Sequence, residues 1–175
     1  MALGLVVALS VACLGQTGFV PATFFGLTIG KSTMTDFKKR FGEPKGFFEN
    51  KLSGKTQLRY EDIGPVAGNV DVDAVSSSGI IQGISVDPAT PLSTEEAERL
   101  FGSDFKIVRY AFEPCIGDET RPMFESENGF PYMIYSKLGI AVGLDSVNPA
   151  KVVFIHYLHD PVGAKESRCK DKTFR

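Results

Sequence analysis

The chain has two histidines, His156 and His159, both in the string FIHYLHD with Asp160 directly behind them. General-base or metal chemistry that runs through imidazole must therefore use this pair. The string reads as a strand, in which residues three apart point to opposite faces. A shared metal would require the strand to end or bend near Leu158 and the fold to bring in Asp160 or Glu113. Zinc hydrolysis would further need a third ligand and an open coordination position. Neither a Ser-His-Asp nor a Cys-His arrangement has a local signature, although such groups assemble in space rather than in sequence. On these residues no catalytic side chain, metal or cofactor is assigned. A small-ligand binder or a hydrolase using His156 and His159 stays as the alternative to a binding protein.

Three other groups invite chemistry. Gly30, Lys31 and Ser32 in GLTIGKST look like the end of a phosphate-binding loop, but Gly26 stands four residues before Gly30 where that motif requires five. The stretch reads instead as a turn in which Ser32 or Thr33 caps a helix. Asp118, Glu119, Glu125 and Glu127 lack the regular alternation of oxygen ligands of a calcium loop and read as solvated charge. Cys13, Cys115 and Cys169 show no CxxC or Cys/His spacing of zinc type.

At 175 residues, 43% hydrophobic and 23% charged, with a net charge of −2, the chain is globular and holds one domain or two small ones. Without a cluster of Lys and Arg it is not a nucleic-acid binder, because phosphate neutralisation needs one. The first charged side chain is Lys31. The apolar run from Ala2 to Leu14 has the length of an export signal's apolar region and falls short of the ~20 residues that span a bilayer. Residues 1–18 are set apart as this signal-like segment; an uncleaved anchor or an N-terminal helix packed on the domain is the other reading. Cys13 closes the run in the string LSVAC, which resembles a bacterial lipoprotein signal, so that Cys13 is the expected lipidation site and the N-terminus the expected membrane attachment. Export leaves Cys115 and Cys169 as an even pair in an oxidising compartment. A disulfide between them would close a loop of roughly 55 residues and stabilise by about 2–4 kcal/mol; two unpaired thiols are the alternative.

The elements that must position these residues follow a repeating order. KSTMTDFKKRFGEP has helix-starting Ser32 and Thr33, an apolar face of Met34, Phe37 and Phe41, and Gly42 and Pro44 as stops. LSTEEAERLFGSD repeats the grammar, with Ser93 and Glu96 as a capping box, Ala97, Leu100 and Phe101 on the apolar side, and Gly102 at the end. Strand-like segments follow each: KTQLRYED, NVDVDAV and IIQGISVD after the first, with Ile80, Ile84 and Val86 on one face; DFKIVRYAF, LGIAVGLD and KVVFIHYL after the second. The stretch 113–131 reads as a loop rich in Pro and Gly. The expected fold is α+β, two tandem helix-plus-antiparallel-sheet repeats over 19–90 and 91–162 packed as one compact unit, with a charged tail at 163–175.

GLTIGKSTMTDFKKRFGEP, followed by a strand with Tyr60, resembles the opening of the SmpA/OmlA family. These are small envelope lipoproteins that include a minor subunit of the outer-membrane β-barrel assembly machine. The stretch is also similar to the related β-lactamase-inhibitor-protein-like fold, which is built of two such units in tandem. Gly30, Ser32, Phe41, Gly42 and Pro44 match the outline shared by both. The resemblance implies a non-enzymatic protein of the periplasm or outer membrane whose partner is another envelope protein. Among the aromatics in or beside loops, Phe47, Phe48, Phe124, Phe130, Tyr132 and Tyr135, the last four are the expected partner surface.

Overall fold

The computed structural model describes residues 18–50, 54–112, 123–163 and 165. A short antiparallel hairpin, β1 (Thr23–Phe24) and β2 (Leu27–Thr28), opens the fold. Helix α1 (Met34–Phe41) starts at Thr33, whose hydroxyl accepts from the Asp36 backbone N–H while the Asp36 carboxylate accepts from the Thr33 N–H. It stops at Gly42, whose φ of +84° suits a residue without Cβ. Four strands follow: β3 (Gly46–Asn50), β4 (Lys55–Glu61), β5 (Gly68–Val75) and β6 (Ile81–Pro88). After β7 (Leu92–Ser93), the capping box of Ser93 and Glu96 opens α2 (Thr94–Phe101), which ends at Gly102. Then come β8 (Lys106–Phe112), β9 (Met123–Glu125), β10 (Phe130–Tyr135), β11 (Ile140–Leu144) and β12 (Lys151–Leu158).

Strands β3 to β12 form one ten-stranded antiparallel sheet in the order β3-β4-β5-β6-β12-β11-β10-β8-β9, with β7 beside the start of β12. Strand takes 49% of the described residues and helix 12%. The expected α+β class of two packed helix-plus-sheet repeats is therefore corrected to a mostly β fold organised by a single sheet. Each helix has eight residues, about 12 Å of helix axis, too little to form a layer of its own. The junction is the pairing of β6 with β12, Val86 opposite Ile155 and Ser85 opposite His156, which carries the ladder through without a seam.

The sheet has two unlike faces. On one, Leu58, Tyr60, Val70, Val72, Ile84, Val86, Val142, Val152, Ile155 and Tyr157 are buried under the hairpin and both helices, which contribute Phe24, Phe37 and Ala97. Leu100, expected on the apolar side of α2, is instead 42% exposed. Alternation along β6 is broken by a bulge: Asp73 pairs with Gly83 and Ala74 with Ile81, so Gln82 has no counterpart. Ile81, not Ile80, thereby joins Ile84 and Val86 in the core. The opposite face carries a smaller cluster of Tyr110, Tyr132 and Ala141, with Val108, Ile134, Phe154 and Leu158 partly buried around it.

Candidate functional site

One cross-strand row runs over the face opposite the helices. Arg59 on β4 lies beside Asp71 on β5, which lies beside Ser85 on β6, then His156 on β12 and Ala141 on β11. The period-2 pattern of NVDVDAV explains half of this, since burying Val70, Val72 and Ala74 must turn Asp71 and Asp73 the other way. The side chains lock one another. Arg59 donates through Nε and Nη2 to the two carboxylate oxygens of Asp71, both at 2.8 Å. Gln57 Nε2 donates to Asp73 Oδ1 at 3.0 Å. Ser85 Oγ and His156 Nδ1 are joined by a hydrogen bond of 2.8 Å.

Burial sets the charge state of this row. Desolvation pushes the His156 imidazole down from its ordinary 6.5 to about 4, so it is neutral near pH 7. Desolvation also raises the Asp73 carboxyl above the usual range, opposed by the hydrogen bond from Gln57. From His156 an aromatic chain continues across the other half of the face: Phe154 at 4.6 Å, then Tyr132 and Tyr110 at 5.6 Å steps. Gly143 on β11 makes this chain compact, because the Phe154 ring lies where a side chain at 143 would be.

The residues singled out by sequence fall in different places. His156 and His159 do not share a site. His156 faces Ser85, whereas the ring of His159 packs on Gly30, with its Nδ1 2.8 Å from Asp160 Oδ2. Among the described residues no three metal-ligating side chains gather. The Ser85–His156 pair has the composition of a nucleophile and its base, and it was not visible locally because 71 residues separate the partners. Among the described residues no carboxylate hydrogen-bonds this imidazole to orient it.

Gly30 has φ +83° and donates its N–H to Ile81 O at 2.7 Å, and Ser32 accepts from the Thr28 N–H through Oγ at 3.0 Å. Phe41 packs against Phe24, Phe25 and Phe37, Gly42 O accepts from the Tyr60 hydroxyl at 3.0 Å, and Pro44 follows on the way to β3. These residues seat the first helix on the sheet. The expected aromatic surface is corrected: Tyr132 and Tyr135 are buried at 4% and 1% exposure, Phe124 is half-buried on β9, and only Phe130 stands out, 6.3 Å from Phe112. Tyr132 and Tyr135 lie three residues apart on β10, a strand that starts at the end of the Pro- and Gly-rich stretch, so they point to the two opposite clusters. Among the described residues the most exposed phenylalanines are Phe47 and Phe48, on the edge strand β3. Cys13, Cys115, Cys169, Glu113, Asp118 and Glu119 lie outside the described residues.

No family profile matches the chain, and no curated protein matches its sequence. Two solved structures align with part of the chain at low similarity. A cysteine-rich secretory protein from Staphylococcus aureus subsp. aureus Mu50 aligns with 79% of this chain at 15% identity and a TM-score of 0.48. The chain spans 47% of that protein's length. A DUF4309 family protein from Bacillus subtilis subsp. subtilis str. 168 aligns with 82% of this chain and 88% of its own, at 14% identity and a TM-score of 0.47. Among the described residues no helix is long and apolar enough to cross a membrane.

Proposed function

We propose that this is a non-enzymatic protein-binding module of the bacterial cell envelope that presents the polar half of its open sheet face to another envelope protein. The observation that carries the reading is the locked row of Arg59, Asp71, Ser85 and His156 on the face that neither helix nor the hairpin covers. Side chains already held by their neighbours lose little freedom on binding, which is what makes a preorganised surface effective. The row is flanked by Phe48, 66% exposed and paired with Gln57 on the same face, which gives the surface an aromatic anchor at its edge. The charge-free N-terminal thirty residues and the likeness of Gly30 to Pro44 to SmpA/OmlA proteins support the compartment.

The test uses two exposed positions so that the fold is undisturbed. Asp87 is exposed on β6, two residues on from Ser85 and so on the same face. Phe48→Ser combined with Asp87→Lys should abolish recovery of the partner with the protein from the envelope of its host, while Lys39→Glu on α1 leaves it intact. Equal recovery with the double variant would overturn the reading.

A further inference from the structure

On the aromatic half of the open face lies a cavity of about 250 Å3, distinct from the polar row. Its floor is Val108, Ile134 and Leu158, from three different strands, with Ile140 at its edge. Two chain segments close over it. One is Gly18–Phe19, held in place as Val20 donates its N–H to Ser136 O and Ala22 to Leu158 O, each at 2.8 Å. The other is Pro161–Gly163, where the glycine lets the backbone lie on the Tyr110 ring. The lining is predominantly apolar and the volume falls just under the ~300–1,000 Å3 of sites for drug-sized ligands, which suits one short hydrocarbon chain.

Charge at the rim selects the head group. Lys106, directly opposite Ile134, stands at the Ser136 end. It has no ion pair among the described residues, and its neighbour Asp104 is taken by Lys137 at 2.8 Å. At the other end Glu125 and Lys165 offset each other in charge. We propose that this cavity binds a free medium-chain fatty carboxylate, with the hydrocarbon against Val108, Ile134 and Leu158 and the carboxylate at Lys106.

Isothermal titration of the whole protein with octanoate, and with octanol as the neutral match, tests this. Octanoate should bind saturably at one site. Lys106→Met should weaken octanoate about tenfold, the worth of one charge-assisted hydrogen bond, and leave octanol unchanged. Ile134→Trp and, separately, Val108→Phe should fill the cavity and remove binding of both while circular dichroism shows the fold retained. Absence of saturable octanoate binding, or octanoate affinity unchanged in Lys106→Met and in both filling variants, would overturn the proposal. So would sedimentation with phosphatidylglycerol vesicles in place of binding to the free acid, which would make a lipid surface the ligand.

Discussion

His156 is the residue where burial and chemistry meet. Its imidazole is held near a pKa of about 4 when folded against an ordinary 6.5, so the folded state favours the neutral ring. The sign follows from proton counting: above about pH 6.5 neither state is charged and the fold loses nothing, and as the pH falls toward 4 only the unfolded chain takes the proton. Stability is therefore lost across that window, by about 1–3 kcal/mol for a half-buried group. Urea unfolding of the wild type and of His156→Gln at about pH 7 and pH 4.5 should show a smaller loss on acidification in the variant. Gly30 makes a second case. Its left-handed backbone and the His159 ring against it both forbid a side chain, whereas Gly26 has the same backbone and open space. Gly30→Ala should cost about 1–3 kcal/mol and Gly26→Ala distinctly less, as read from denaturation midpoints. The sequence singled out Gly30 by motif; the imidazole above it was not legible, because His159 approaches from the far end of the chain.

At the scale of elements, what is encoded within a few residues was readable. Both helices lie where their caps place them, since a Ser or Thr with an acid three residues on satisfies the free N–H groups of the first turn locally. Ser93→Ala should lower stability by about 1 kcal/mol, measured by thermal unfolding, with Ser93→Thr retaining most of it. The long strands β4, β5, β8, β11 and β12 showed in their alternation or apolar runs. β10 did not, because Gly129 and Pro131 read as turn residues. Pro131 is tolerated because the ladder to β11 begins only at Tyr132. β3 was hidden for a different reason: as an edge strand it buries neither phenylalanine and so has no buried alternation to read.

For the whole molecule, the sequence showed two similar successions of helix and strands, and the structure joins the strands into one sheet. The joining contact pairs residues about 70 positions apart, so nothing in local propensity could report it. The consequence is a face that changes character along its length. Over β4 to β6 it offers fixed charges and hydroxyls, and over β8 to β12 it turns aromatic and folds over a cavity. That division would let the proposed partner surface and the proposed ligand site sit on one sheet without overlapping. The most direct measurement is site-specific photo-crosslinking in the host, with the crosslinking residue at Gln57 on the open face or at Lys39 on the helix face. A single discrete adduct should form from Gln57 and not from Lys39, and unlabelled wild-type protein should compete it away while the Phe48→Ser, Asp87→Lys variant does not. Adducts from Lys39 alone, or competition by the variant as strong as by the wild type, would contradict the assignment of the open face as the partner surface.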